Sequence, residues 1–237
     1  MKVLALDSSG LVASVAVVED DNLLGEYTIN YKKTHSQTLL PMLEEVARMI
    51  ELDLETLDVI AVSAGPGSFT GLRIGSATAK GMALALHKKI VAVPTVDAMA
   101  YNLWGTADLI CPLMDARRQQ VYTGVYSFAG EEFVTHIPQC AVGIEEIISR
   151  LNELGRKVIF LGDGVSVFRN IISEKITVPY AFAPAMSNKQ RASSVAVLGA
   201  YLCEQGKAED AADHKPDYLR LSQAEREFQK KQRDFTI

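Results

Sequence analysis

Residues 58–94 have the sequence DVIAVSAGPGSFTGLRIGSATAKGMALALHKKIVAVP. The apolar run 58–63 predicts a buried strand, the glycine-rich segment 64–71 predicts a loop, and a helix is expected from there to about Leu86. A second apolar run at 89–93 predicts the next strand. A strand, loop, helix and strand in this order are typical of a right-handed crossover in a parallel sheet. The stretch therefore predicts an α/β fold.

The residues before this stretch predict three strands and a helix. A short apolar run at 3–6 is closed by Asp7-Ser8-Ser9-Gly10, and β-branched runs follow at 13–18 and 23–29. Apolar residues at helical spacing then predict a helix over 36–51. Together with the two strands of the opening stretch, the first half is expected to form a mixed sheet of about five strands.

The second half of the chain repeats this plan. Strands are predicted at 109–114, 120–128 and from Phe133 onward, with a helix at 144–154 and a further strand at 158–161. An acidic residue closes the first strand of each half, at Asp7 and at Asp115. We therefore predict two lobes built from duplicated β-β-β-α-β-α units. The expected divisions are an N-terminal lobe at 1–103, a C-terminal lobe at 104–223 and a charged tail at 224–237.

Composition limits the classes of protein that fit. The chain has 237 residues, 48% of them hydrophobic, which is enough for a substantial core. Its formal charge of -5 argues against a protein that neutralises many nucleic-acid phosphates alone. The three cysteines, Cys111, Cys140 and Cys203, have no CxxC spacing and suggest reduced thiols. No apolar run approaches the ~18 residues of a membrane span, so a cytoplasmic protein is expected.

Several catalytic motifs are absent at the places where they would be needed. No two of the four histidines are three or four residues apart, so no metal site is predicted. Ser68 follows a strand but lacks the glycine that a hydrolase elbow has two residues later. No Lys-Ser or Lys-Thr follows Gly71, so the phosphate-binding Walker loop fails too. The glycine spacing also misses the dinucleotide fingerprint.

Two turns remain as candidates for a nucleotide site. A strand that ends in Asp7 and enters a turn of small hydroxyl residues can place backbone amides on a phosphate and a carboxylate near Mg²⁺. A glycine pair after a strand, Gly162 and Gly164, can let an adenosine approach the backbone. Each turn alone is common in proteins. Within two duplicated lobes they suggest the architecture shared by actin, sugar kinases and heat-shock ATPases, with a vestigial nucleotide site at Asp7, Ser8, Ser9, Gly10, Gly162 and Gly164.

Two helices carry more apolar or small residues than one buried face usually needs. On the helix over 36–51 the apolar arc covers about half the circumference. The helix after the glycine-rich loop has small residues every four positions, and a glycine inside a helix costs about 1 kcal/mol relative to alanine. Burial in the chain's own core and packing against a partner helix both explain this pattern. The predicted partner interface is Leu39, Leu43, Val46, Ile50, Gly71, Gly75, Ala79 and Met82.

Five short motifs, taken together, resemble the bacterial TsaB (YeaZ) family over nearly the whole chain. The most specific is AGPGSFTGLRIG at 64–75. The others are VLALDSS at 3–9, HSQ at 35–37, MDAR at 114–117 and PDYLR at 216–220. The resemblance implies a two-lobed fold of the actin-like ATPase superfamily (ASKHA), which is ribonuclease H-like.

The resemblance also implies a function and partners. It implies a non-catalytic subunit in tRNA threonylcarbamoyladenosine modification that pairs with the transferase TsaD, and TsaD modifies the adenosine 3′ of the anticodon. A small ATPase, TsaE, is expected to join them. The chain is also expected to self-associate through the surface that it offers TsaD. Contact with tRNA is expected to be indirect, and no cofactor or membrane contact is expected.

One departure from the catalytic paralogue supports a non-catalytic role. TsaD-like chains carry a His-x-Glu-x-His metal motif where this chain has VPTVDAMA at 93–100. Without imidazole groups there, the metal that organises transfer has no ligands. Two alternatives stay open from the residues alone. One is an ATP-binding or ATP-hydrolysing enzyme of the actin or sugar-kinase type, and the other is a metallopeptidase.

Overall fold

The computed structural model describes residues 1–31 and 34–220. The predicted charged tail at 224–237 lies outside the described residues. Within them, the structure contains two five-stranded mixed sheets and six α-helices. Two single turns of 3-10 helix, Leu54–Thr56 and Tyr101–Leu103, lie between these elements.

The first sheet is formed by the first half of the chain. Its strands lie in the order β3-β2-β1-β4-β5, with β1 antiparallel to β2 and parallel to β4. The elements in chain order are β1 (Lys2–Asp7), β2 (Ala13–Glu19), β3 (Asn22–Ile29), α1 (His35–Met49), β4 (Val59–Gly65), α2 (Phe69–Ala85), β5 (Lys89–Pro94) and α3 (Thr95–Ala100).

The second sheet repeats the first in topology. Its order is β8-β7-β6-β9-β10, again with one antiparallel meander and two parallel strands. The duplicated α/β fold predicted from the sequence is confirmed. Helices α3 and α5 and strand β10 are additional to the predicted elements. The elements are β6 (Leu109–Asp115), β7 (Gln120–Ala129), β8 (Glu132–Gly143), α4 (Ile144–Leu154), β9 (Val158–Leu161), α5 (Gly164–Lys175), β10 (Tyr180–Phe182) and α6 (Ala192–Glu204).

The helices and sheets form alternating layers. Helices α1 and α2 pack on the outer face of the first sheet, and α4 and α5 pack on the outer face of the second. Between the sheets lie α3 and α6, within one apolar cluster that includes residues of both sheets. Helix α6 comes from the second half of the chain but contacts β1 and β2 of the first sheet. The contact of α6 with β1 and β2 joins the two halves of the chain. The division into lobes between residues 103 and 104 stays a prediction.

A partly buried glutamate fixes the start of α6. Glu26 on β3 accepts hydrogen bonds from the backbone N–H of Ser193 at 3.1 Å and from its hydroxyl at 2.7 Å, and it pairs with the Arg191 guanidinium. The neighbouring N–H of Ala192 donates to Ser14 Oγ at 2.9 Å. Burial by itself would raise the pKa of Glu26, but the hydrogen bonds from Arg191 and Ser193 outweigh it and lower that pKa. The first sheet therefore caps a helix of the second half.

Residues 205–220 form a C-terminal strap along the first sheet and α2. Glu209 and Ile90 exchange backbone hydrogen bonds, so the strap covers the edge strand β5. The buried His214 ring contacts Glu209 Oε1 at 2.8 Å and Ser76 Oγ at 3.0 Å. Further along, the N–H of Asp217 donates to the Ala64 carbonyl at 2.7 Å. The strap thereby holds one flank of α2 in place.

Two glycines set the distance between α2 and the sheet. A Cβ at Gly71 would lie 2.0 Å from the carbonyl oxygen of Ser8, and one at Gly75 would lie 2.5 Å from Ser8 Oγ. Real Cβ atoms do not approach so closely, so α2 can lie on the β1–β2 loop only with glycine at these positions. Gly81 in the same helix has no atom within 4 Å of its Cβ position.

The cap of α6 predicts a pH-dependent loss of stability in Glu26→Gln. At pH 7 the free energy of unfolding of the variant should be about 2 kcal/mol lower than that of wild type, because hydrogen bonds to a charged acceptor are lost. The folded pKa of Glu26 lies below its ordinary value of about 4.3. The stabilisation that charged Glu26 provides is therefore fully present above its ordinary pKa. It is lost as the pH falls through the lower pKa of Glu26 in the folded protein. The difference from wild type, measured by urea denaturation, should shrink towards pH 3.

The matched control is Glu45→Gln on α1. Glu45 also pairs with an arginine, Arg48, but both side chains are exposed to solvent. An exposed pair is screened by water, so this variant should unfold like wild type at every pH. Equal losses in the two variants would contradict the assignment of Glu26 as the cap of α6.

The glycines of α2 predict opposite effects of the same substitution. Gly71→Ala should destabilise the fold by about 2 kcal/mol, because the backbone of Ser8 has to move. Gly81→Ala should stabilise it by up to about 1 kcal/mol, because alanine favours an exposed helix and nothing obstructs its methyl group. Thermal and urea denaturation of both variants check this. A neutral Gly71→Ala would show that the loop and helix are not in contact.

Candidate functional site

The predicted nucleotide-site residue Asp7 is buried at the end of β1 with its oxygens occupied. Asp7 Oδ1 accepts from the Ser9 N–H at 2.8 Å and the Ser9 hydroxyl at 2.7 Å, and Oδ2 accepts from Ser63 Oγ at 2.6 Å. Burial raises the pKa of Asp7, and the hydrogen bonds from Ser63 and Ser9 oppose that shift. The carboxyl group thus joins β1 to β4 and is not presented to a ligand.

The β1–β2 loop is closed over by the β4–α2 loop. Ser8 donates its hydroxyl to the Gly71 carbonyl at 2.8 Å, and the Ser9 carbonyl accepts from the Ser68 N–H at 2.7 Å. A Cβ at Gly67 would lie 2.4 Å from the same Ser9 carbonyl. Ser8 and Ser9 are almost completely buried. Of the hydroxyl groups predicted to face a phosphate, that of Ser8 therefore binds the chain's own backbone and that of Ser9 binds the Asp7 side chain.

The second predicted pair, Gly162 and Gly164, lies against the second sheet. A Cβ at Gly162 would lie 2.1 Å from the Leu113 carbonyl, and one at Gly164 would lie 2.9 Å from it. Gly162 also has a φ of 104°, which favours glycine. Asp163 lies between these two glycines in the sequence. Burial raises the pKa of Asp163, and the positive charge of Lys189 opposes that rise. The glycines are thus explained by close packing of the β9–α5 turn on β6.

One segment joins the two predicted groups. The N–H of Gly162 donates to Asn188 Oδ1 at 2.8 Å, and the Gln190 side chain lies against Gly10, where a Cβ would be 2.5 Å from Gln190 Nε2. Gln190 is buried, and its Nε2 has no hydrogen-bond partner within the described residues. Gly10 also presents its carbonyl to His35 Nε2 at 2.8 Å. Residues 188–190 therefore lie between the loops that a nucleotide would have to reach.

The predicted interface residues lie largely in the chain's own core. Leu39, Leu43 and Val46 of α1 pack on the first sheet with exposed fractions of 8% or less. Ala79 is fully buried in the same cluster, and Gly71 and Gly75 face Ser8. The predicted interface is therefore corrected. The first sheet and the β1–β2 loop already cover these six residues, so they do not form an exposed surface. Ile50 and Met82 are partly buried beside that core.

A different set of residues is exposed on these two helices. On α2, Leu84 is 57% exposed, and the small residues Ala77 and Gly81 on the same side of the helix are exposed too. On α1, Leu40 and Met49 are 55% and 67% exposed, but they are about two and a half helical turns apart and lie on opposite flanks of the helix. We name Ala77, Gly81 and Leu84 the outer α2 face. None of these three residues was in the interface predicted from the sequence.

The segment that replaces the metal motif of the catalytic paralogue forms β5 and α3. Its carboxylate, Asp97, accepts a hydrogen bond from the Tyr126 hydroxyl at 2.6 Å, while burial raises the Asp97 pKa. Across residues 1–31 and 34–220, no group of three His, Cys, Asp or Glu side chains is placed to hold a metal ion. The same residues include no helix long and apolar enough to cross a membrane.

Comparisons with known proteins agree on one family. Residues 22–228 match the family model described as "TsaD: tRNA N6-adenosine threonylcarbamoyltransferase". The tRNA threonylcarbamoyladenosine biosynthesis protein TsaB of Bacillus subtilis is 33% identical, over 95% of this chain and 96% of that protein. TsaB of Escherichia coli is 30% identical, over 69% of this chain and 72% of that protein.

A solved structure gives the same result. The chain is similar to YeaZ from Pseudomonas aeruginosa, with a TM-score of 0.79 and 26% identity, over 92% of this chain and 99% of that one. The match extends over almost the full length of the Bacillus subtilis protein and of the Pseudomonas aeruginosa structure. The chain belongs to the TsaB (YeaZ) family of tRNA threonylcarbamoyladenosine biosynthesis proteins.

Proposed function

We propose that this chain is a non-catalytic scaffold subunit that activates TsaD in the cytoplasm and recruits TsaE. Family membership supports a role beside the transferase. The observation that carries the scaffold role is the closed β1–β2 loop, where Asp7, Ser8 and Ser9 bind atoms of the chain itself. A carboxylate and hydroxyls used in this way have no free groups for nucleotide chemistry. Handling of tRNA is then mainly the task of TsaD.

The outer α2 face is the proposed contact with TsaD. It combines the exposed Leu84 side chain with the flat surface at Ala77 and Gly81, which lets a partner helix approach closely. The matched family model carries the transferase's own description, so TsaD is expected to have the same helix pair. Burial of apolar area at ~25 cal/mol per Å² would drive pairing, offset by the cost of association. A second copy of this chain would fit the same face.

Reconstitution of tRNA threonylcarbamoylation tests the scaffold role. Leaving this chain out of a mixture of the synthase, TsaD, TsaE and tRNA should reduce turnover at least tenfold. Ala77→Arg should have the same effect and abolish pairing in native mass spectrometry, because it places an unpaired charge in an apolar contact. The matched control is Val167→Arg on α5, which is also on an exposed helix position and should pair and support turnover like wild type. Unchanged turnover on omission would refute the scaffold role.

The alternative is an ATP-binding or ATP-hydrolysing enzyme that uses Asp7. Because the oxygens of Asp7 are occupied, calorimetry with ATP and Mg²⁺ should show no binding in the micromolar range. Asp7→Asn keeps the shape of the side chain and should leave that result unchanged. Micromolar binding by wild type that disappears in Asp7→Asn would favour the enzyme over the scaffold.

A further inference from the structure

The duplicated fold places two hairpin loops at equivalent positions with opposite chemistry. In the first half, the β1–β2 loop is neutral and closed over by α2. In the second half, the β6–β7 loop has the sequence Ala116-Arg117-Arg118-Gln119, and its last three residues are exposed. Both loops follow a strand that ends in aspartate. One loop is therefore part of the core, while the other presents two guanidinium groups to solvent.

The backbone of the β6–β7 loop is held in an uncommon conformation. Arg117, Arg118 and Gln119 have φ values of 64°, 56° and 60°, in the left-handed region, and none of them is glycine. Each such residue costs roughly 1 kcal/mol. The loop is fixed by the Arg117 N–H, which donates to Asp115 Oδ1 at 2.8 Å, and by the Ile144 N–H, which donates to the Gln119 carbonyl at 3.1 Å. The two arginines are thus presented by an ordered turn.

A further cation comes to this loop from a distant part of the chain. Arg220, at the end of the strap, donates from Nη1 to the Ala116 carbonyl at 2.7 Å. Within residues 1–31 and 34–220, Arg118 and Arg220 have no acidic side chain within ion-pair distance.

The acidic groups at this place do not balance the cations. Asp115 pairs with Arg117 at 3.3 Å, which leaves other donors of that guanidinium free. Asp163 is the second carboxyl, and burial disfavours its charged form. Arg117 and Arg118 lie on the loop and Arg220 lies against it, so their positive charges add in attracting an anion. We name Arg117, Arg118 and Arg220 the basic cluster.

We propose that the basic cluster contacts the phosphate backbone of the tRNA while the chain is paired with TsaD. The proposal rests on the proposed function and assigns direct RNA contact to this subunit. Guanidinium groups bind phosphates through two parallel hydrogen bonds, and Arg117 and Arg118 point outward from a protruding turn, where a passing strand can reach them. A net charge of -5 keeps the contact weak in the isolated chain. The contact therefore strengthens tRNA binding by the assembled complex.

The test measures tRNA binding by the TsaD complex as a function of salt. Replacement of both arginines in the double variant Arg117→Ala/Arg118→Ala should weaken binding several-fold in 0.1 M salt. The slope of log K against log salt should fall by about 1 to 2, since each lost phosphate contact removes close to one unit. The charge-preserving double variant Arg117→Lys/Arg118→Lys should keep the wild-type slope. The matched control is Arg150→Ala/Arg169→Ala on α4 and α5, which removes the same charge and should leave the slope unchanged.

Two results would overturn the proposal. One is an unchanged slope and affinity in the alanine variant while native mass spectrometry shows intact pairing with TsaD. The other is loss of pairing itself, which would place the loop in a protein interface. Both are distinct from failure of the proposed function, which would appear earlier as a wild-type chain that neither pairs with TsaD nor raises its turnover.

Discussion

The structure depends on the contact between α2 and the β1–β2 loop, which is as close as backbone atoms allow. Gly71 and Gly75 place the helix against Ser8, and any side chain there would collide with it. The same approach covers Ser9, while the pairing of β4 with β1 brings Ser63 to Asp7. A loop position that suits a phosphate in a two-lobed fold is thereby converted into core. Steric closeness, and not the identity of the acidic residue, decides what Asp7 can do.

That contact separates two sides of α2 that the sequence does not distinguish. Small residues recur every four positions on the inward side, at Gly71, Gly75 and Ala79, and again on the outward side, at Ala77 and Gly81. Small residues at regular helical spacing indicate that another element packs closely on the helix. They do not indicate whether that element belongs to the same chain or to a partner. The inward series is satisfied by the chain's own loop. The outward series is exposed, and it is the one used in the proposed contact with TsaD.

Much of the fold follows from local sequence, and the errors have physical causes. Apolar runs and helical spacing predicted strands β1 to β5 and helices α1 and α2 within a few residues, but they did not predict α3. The glycines around Asp163 suggested only a turn, although α5 begins there, and β10 is three residues long. Glu26 on an exposed strand and His214 in the strap gave no signal, because their partners are 165 and 138 residues away. Sequence periodicity predicts local secondary structure. A hydrogen bond between residues so far apart in the chain produces no periodic pattern.

The strap contacts two distant parts of the molecule, helix α2 and the β6–β7 loop. It adds to the edge of β5 through Glu209, stacks Tyr218 on Phe69 at 4.0 Å, and ends with Arg220 on the β6–β7 loop. The outer face of α2 and the second-half loop are therefore held by the same sixteen-residue segment, 205–220. A partner seated on α2 thus has a fixed position relative to the basic cluster. Under the proposed scaffold role, a fixed distance between these two surfaces is what the chain contributes to the complex.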